Sequence, residues 1–318
     1  MGKYVNQNGN EILKTAWIFP GQGSQYLGMG ENIYEKSELA KKYFKISKEI
    51  LGFDIQSIIS NGPTDLLNTT KYTQPAIYII SVILGKILIE RGLEPFAVAG
   101  HSLGEYSALT ISNSVSFKKG LELVKIRAES MEKAGHLHKG TMAAIVGLKE
   151  KEIQLICSSY KGEGLVVIAN YNSPKQFVIS GTSDAVIETI EKAKYKGARL
   201  ALELKVSGAF HSPLMNPAKE DLNKILDSIN FKNPRYPVFN NIDGKPVLSG
   251  SKIKKTLIQQ LEEPVLWTKS IVEMKNFGVK SFLEVGPGKV LQGLNKRIDR
   301  SLISDGVDSL NKMETFFV

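Results

Sequence analysis

Apolar positions along the chain follow two rhythms. Short, mainly apolar runs occur at Thr15 to Phe19, Phe96 to Gly100, Tyr236 to Ile242 and Val279 to Val285. Such runs, flanked by Gly and Pro, predict strands buried on both faces. Between them lie longer stretches with apolar residues at helical spacing, which predict helices at 31–51, 75–91, 103–112, 116–134, 251–261 and 268–277, and from Gly288 to about 298. Over 116–134 the stripe is Phe117, Leu121, Val124, Ala128 and Met131. Strands alternating with helices predict an α/β fold with a mostly parallel sheet covered on both faces. The rhythm changes between 139 and 206. Strand Gly140 to Gly147, helix Lys149 to Tyr160, strands Leu165 to Ala169 and Gln176 to Ser180, helix Ser183 to Lys196 and strand Arg199 to Val206 give the order β-α-β-β-α-β. That is the ferredoxin-like arrangement, here a compact insert of about 70 residues. The predicted plan is an N-terminal arm (1–14), a large α/β domain (15–138 and 207–300), a small ferredoxin-like subdomain (139–206) and a weakly patterned tail (301–318).

The longest apolar run, Ala76 to Ile89, is broken by Ser81, Gly85 and Lys86. It is too short to span a bilayer and reads as a buried helix, and no membrane association is expected. Met1 to Lys14 is polar, with no apolar core of a signal peptide. The single cysteine, Cys157, excludes a disulfide framework and a cysteine zinc site, and suits a reducing cytoplasm. It reads as a structural thiol. The net charge is +9, but the basic residues lie in scattered pairs, with no basic helix interleaved with aromatics. That pattern gives nucleic-acid binding little support and suits a phosphorylated substrate, an acidic partner or an ordinary solvated face.

The candidate chemistry centres on Gly100-His101-Ser102-Leu103-Gly104, a G-x-S-x-G turn between a predicted strand and a predicted helix. A serine there stands clear of the sheet, and the Leu103 N–H at the helix start can face a developing oxyanion. The alternative is an ordinary helix-capping serine. The Pro20-Gly21-Gln22-Gly23-Ser24-Gln25 turn fits neither a Walker loop nor the dinucleotide fingerprint, and serves to bring backbone N–H groups close to a ligand. A serine nucleophile needs a base, and the chain has four histidines. His101 adjoins Ser102 and points away from it. His136 and His138 fall in a predicted Gly-flanked loop. His211, after a predicted strand end and before Pro213, is the base by elimination, with a structural loop histidine as the alternative. Arg127 flanks the apolar stripe of 116–134. An inward guanidinium must be paired in the core, snorkel, or await an anion.

These blocks together resemble the malonyl-CoA:acyl carrier protein transacylases, including the stand-alone acyltransferases that serve polyketide synthases. The resemblance runs from about Thr15 to Arg297 through FPGQGSQYLGMG (19–30), YTQPAIY (72–78), GHSLGEYSAL (100–109), IRAESM (126–131), ANYNSP (169–174), SGAFHSPLM (207–215), NNIDG (240–244), QLEEPVLW (260–267) and EVGPGKVL (284–291). It implies a hydrolase-like core with a ferredoxin-like insert, and a ping-pong transfer of malonyl from CoA to the phosphopantetheine thiol of an acyl carrier protein. It implies Ser102 as nucleophile, His211 as base held by the Gln260 carbonyl, and the N–H groups of Gln22 and Leu103 as oxyanion hole. Arg127 would take the malonyl carboxylate, with Gln74, Phe210 and His101 also in the substrate site. A Phe at 210 goes with malonyl rather than methylmalonyl in that family; packing alone is the other reading. No tightly bound cofactor and no metal are implied, and the enzyme is expected as a cytoplasmic monomer. An acyl hydrolase that clears carrier proteins, or an inactive carrier-docking module, would share the fold. The first typically lacks the arginine; intact Ser102, His211 and Arg127 speak against the second.

Overall fold

The computed structural model describes residues 14–316. Its strands, in chain order, are β1 (Thr15–Phe19), β2 (Ala97–Gly100), β3 (Gly140–Val146), β4 (Val166–Ser173), β5 (Gln176–Thr182), β6 (Leu200–Glu203), β7 (Val238–Phe239), β8 (Pro246–Val247), β9 (Ser281–Val285) and β10 (Ile303–Val307). They form a six-stranded sheet of order β10-β9-β1-β2-β7-β8 and a four-stranded sheet of order β4-β5-β3-β6. The large sheet is parallel except for the β7–β8 pair. The small sheet is antiparallel throughout.

The continuous apolar runs are explained by burial on both sides. Along β1, Trp17 and Phe19 enter one hydrophobic core while Ala16 and Ile18 enter another. The first core lies beneath helix Thr70–Glu90, buried almost all round. This helix runs 21 residues, longer than the apolar run suggests, and is long and apolar enough to cross a membrane by length and composition. Inside the fold, 83% of its most apolar window is buried. It begins at Thr70 although Pro75 reads as a helix start. The extra turn carries Gln74, buried at 1% exposure.

The structure departs from the sequence pattern in four further places. Helix Phe117–Leu137 continues to the subdomain boundary because Met131 and Ala134 keep its buried stripe going. His136 therefore lies in its last turn and His138 caps it, both exposed, rather than in a loop. The stretch 31–51 divides at Ser37, which is extended and caps the helix Glu38–Leu51 through the Ala40 N–H (3.2 Å). The strand expected over 236–242 stops at Phe239. Asn240 closes a turn instead, its amide donating to Asp243 (2.7 Å) and to the Lys245 carbonyl (2.8 Å). Finally, within the expected tail over 301–318, the described residues 301–316 are structured: β10 pairs in parallel with β9, and helix Leu310–Glu314 buries Leu310 and Met313. The run Ile303-Ser304-Asp305-Gly306-Val307 is buried only at its end, so it shows no apolar signature. The expected arm over 1–14 lies, but for Lys14, outside the described residues.

Candidate active site

A cleft of about 180 Å³ lies between the two sheets. Gln22, Gln74, His101, Ser102, Leu103, Arg127, Phe210 and His211 all line it. At roughly 30 Å³ per water molecule this is room for a handful of heavy atoms, the scale of a short acyl group.

The elbow is built by close approach. β2 ends at Gly100 beside Phe19 of β1, and helix Gly104–Ile111 starts four residues later. A Cβ on Gly104 would strike the carbonyl oxygen of Phe19, so only glycine lets helix and strand pass. Gly21 holds the preceding loop against the elbow in the same way, against the His101 carbonyl. Ser102 sits in the left-handed region at φ 51°, uncommon for a residue with a side chain and a mark of strain at a functional turn. Its N–H donates to Asn241 Oδ1 (2.7 Å). The N–H groups of His101, Gly104, Glu105 and Tyr106 are also paired. Neither Leu103 nor Gln22 donates its N–H to an acceptor among the described residues. Both residues line the cleft, and an unpaired backbone N–H is what an oxyanion hole requires.

Ser102 Oγ lies 2.8 Å from His211 Nε2. His211 is held on its other side by the Gln260 carbonyl, 2.7 Å from Nδ1. A carbonyl only accepts, so Nδ1 carries the proton and Nε2 is left to take one from the serine. Gln260 caps the C-terminus of helix Gly250–Gln259, where carbonyls have no partner within the helix, so its oxygen is available. His211, also at positive φ (56°), is 4% exposed. Burial, and then the nearby Arg127 charge, push its pKa down to about 3, keeping it neutral.

Arg127 is 1% exposed and comes from the middle of helix Phe117–Leu137. One terminal nitrogen donates to Gln74 Oε1 (2.7 Å). The other donates to Ser102 Oγ (3.0 Å) and Gln260 Oε1 (3.1 Å). Its Cζ lies 5.3 Å from the Tyr106 ring centre, and Nε has no hydrogen-bond partner among the described residues. Every one of these acceptors is neutral, although a buried cation is costly without an anion. Burial pushes its pKa down, opposed by Tyr106 and Glu105.

The remaining expected residues take clear places. Phe210 is buried in the cleft wall beside His211. His101 bonds Asn172 Oδ1 through Nε2 (2.8 Å) and lies against Trp267, so it faces away from the serine hydroxyl. His136 and His138 are not brought to the site. Cys157 is half-buried on helix Glu150–Ser158, its thiol pushed up to about 12 by burial. Sequence reasoning missed Glu105 and Asn241, which join the site from beneath. Both lie within quoted motif blocks, and an acid directly after the elbow glycine, on a core helix, was the available signal.

Residues 16–309 match the acyl transferase domain family. The chain is 41% identical over 304 residues to the malonyl CoA-acyl carrier protein transacylase of Bacillus subtilis, covering 95% of this chain and 96% of that one. It is 40% identical to the crystal structure of an acyl carrier protein S-malonyltransferase from Vibrio cholerae, with a TM-score of 0.91 and coverage of 95% and 99%. A malonyl-transacylase solved in complex with its type II PKS acyl-carrier protein superposes with a TM-score of 0.91 at 38% identity, covering 96% and 99%. With the serine, histidine and arginine assembled as the motifs imply, the chain belongs to the malonyl-CoA:acyl carrier protein transacylase family of acyltransferases.

Proposed function

We propose that this enzyme transfers malonyl from malonyl-CoA to the phosphopantetheine thiol of an acyl carrier protein, in fatty-acid or polyketide synthesis, through a malonyl ester on Ser102. The observation that carries the reading is Arg127: a fully buried guanidinium, one arm on the nucleophile, with only neutral acceptors around it. A dicarboxylic half-thioester supplies an anion in direct contact, and the planar fork of arginine meets a carboxylate with two hydrogen bonds.

The incoming carboxylate draws the guanidinium N–H away from Ser102 Oγ, which then keeps only the hydrogen bond it donates to His211 Nε2. Oγ attacks the thioester carbonyl as its proton passes to His211. The negative oxygen is met by the N–H groups of Leu103 and Gln22. The C–S bond breaks, and His211 returns the proton to the CoA sulfur. The second half reverses the path: His211 takes the proton of the phosphopantetheine thiol, its sulfur attacks the ester carbonyl, the bond from that carbon to Ser102 Oγ breaks, and His211 returns the proton to Oγ. CoA is a substrate, and no resident cofactor or metal enters the scheme. The net charge of +9 suits CoA phosphates and an acidic carrier protein.

Intact mass and peptide mapping after incubation with malonyl-CoA test this. A malonyl adduct on Ser102 that is discharged by holo carrier protein, and is absent from Ser102→Ala, is expected. An adduct elsewhere, or one that only water removes, contradicts the reading.

A further inference from the structure

Glu105 stands in the first turn of helix Gly104–Ile111, 2% exposed, and makes no salt bridge among the described residues. A buried carboxyl is costly to keep. Its Oε2 accepts two hydrogen bonds, from Gln260 Nε2 (2.8 Å) and from the Asn241 N–H (3.0 Å). Each donor residue touches the reacting groups. Asn241 Oδ1 takes the Ser102 N–H, and its amide nitrogen ties to the Gly100 carbonyl (2.7 Å), which pins both sides of the elbow. Gln260 holds His211 through its backbone carbonyl and Arg127 through its side-chain oxygen.

The Gln260 amide could sit either way round. Turned by 180°, its NH₂ would face the guanidinium, donor against donor, and Arg127 would lose that acceptor. The orientation is decided on the nitrogen side, where Glu105, the Ser102 carbonyl (3.2 Å) and Asn241 Oδ1 (3.3 Å) all offer oxygens. Among these, a carboxylate oxygen at 2.8 Å is the strongest acceptor. An ionised carboxylate has no donor form to confuse the choice. Burial pushes Glu105 up to about 7, opposed by the hydrogen bonds from Gln260 and Asn241 and then by the charge at Arg127. Asp243 is the other charged group that acts on it.

We infer that Glu105 is a positioning residue. As an acceptor, it fixes the Gln260 amide and Asn241, and so holds Arg127 toward the substrate carboxylate and Ser102 and His211 in reacting register. This rests on the malonyl-transfer reading above.

The test compares Glu105→Met, which keeps the volume and removes the acceptor, with Glu105→Gln, which keeps an oxygen able to take both donors. Ser102 acylation by malonyl-CoA and by acetyl-CoA is followed by rapid-quench mass spectrometry, with thermal unfolding alongside. In Glu105→Met, acylation by malonyl-CoA is expected to fall about 100-fold, the scale of a misplacement near 1 Å, and the malonyl-to-acetyl ratio to fall about tenfold. Glu105→Gln is expected to stay within about threefold of wild type in both, since both donors keep a partner. A folded Glu105→Met with the wild-type ratio overturns the inference. So does a folded Glu105→Gln that has lost the malonyl preference, and that result decides the matter alone if Glu105→Met does not fold. A wild type with no preference for malonyl would instead defeat the functional reading itself.

Discussion

A neutral imidazole is what the proposed proton abstraction needs at position 211, and burial, with the Arg127 charge beside it, keeps the ring neutral. The same fact shapes stability. The folded pKa, about 3, lies below the ordinary 6.5, so between those values the unfolded chain binds a proton that the folded one refuses. His211 therefore erodes stability as pH falls from 6.5 toward 3 and has no such effect above that window. Glu105 and Glu284 act in the opposite sense: both are pushed up to about 7 by burial, so their cost appears as pH rises from 4.5 through 7. Replacing His211 with Asn should remove the acid penalty. Urea unfolding at pH 7 and pH 4.5 should show the variant gaining roughly 1–3 kcal/mol on wild type at the lower pH; an unchanged difference means His211 charges freely. Phe210 is buried in the cleft wall, and the proposed malonyl selectivity has its ring restrict an α-methyl branch. Phe210→Ser should raise methylmalonyl relative to malonyl transfer by about 1–3 kcal/mol in competition assays, and an unaltered ratio in a folded variant places selectivity elsewhere. Ser102 and Arg127 were legible because each breaks a local pattern: a serine on a tight turn, a cation on an apolar stripe. Glu105 acts through Asn241, 136 positions away, and such a contact leaves no local mark.

The elbow is the element most sensitive to a single methyl group. Gly104→Ala would drive Cβ into the Phe19 carbonyl, backbone that cannot turn aside. It should lower stability by about 1–3 kcal/mol or more, as overpacking does, and abolish acylation by shifting Ser102. Gly293, in helix Val290–Ile298, meets only the end of Arg297 at 3.4 Å. Gly293→Ala should be neutral or stabilising by up to about 1 kcal/mol. Differential scanning calorimetry of the pair checks the contrast, and equal melting shifts would show that backbone clearance at the elbow is not the constraint. Element positions were readable wherever burial gave a clear period, as in β1 and in the helix carrying Arg127. Ends were less readable, because tertiary burial carried helix Thr70–Glu90 back past Pro75 and side-chain bonds of Asn240 stopped β7 early.

At the scale of the whole molecule, two sheets grip one cleft, and β4 of the small sheet is tied to the large domain through Tyr171 N–H to Val265 O and Val265 N–H to Ala169 O (both 2.9 Å). The alternation of strands and helices, and the insert's order, carried the architecture. The edge strand β10 escaped notice because it is polar, yet it covers β9 and brings Val307, Leu310 and Met313 into the core. A chain ended at Arg300 should lose solubility, or melt more than about 10 °C lower, since each large apolar side chain removed from a core costs about 2–5 kcal/mol. Wild-type melting would show that this edge is dispensable. Among the described residues that line the cleft, Arg127 is a cation whose direct hydrogen-bond partners are all neutral, and the malonyl reading is tested most directly there. The measurement is kcat/KM for malonyl-CoA and for acetyl-CoA in wild type and in Arg127→Ala. Malonyl transfer should fall by about 2–5 kcal/mol, the loss expected when one partner of a buried charge pair is removed, and acetyl transfer far less. An equal fall with both substrates would make Arg127 structural and contradict the account.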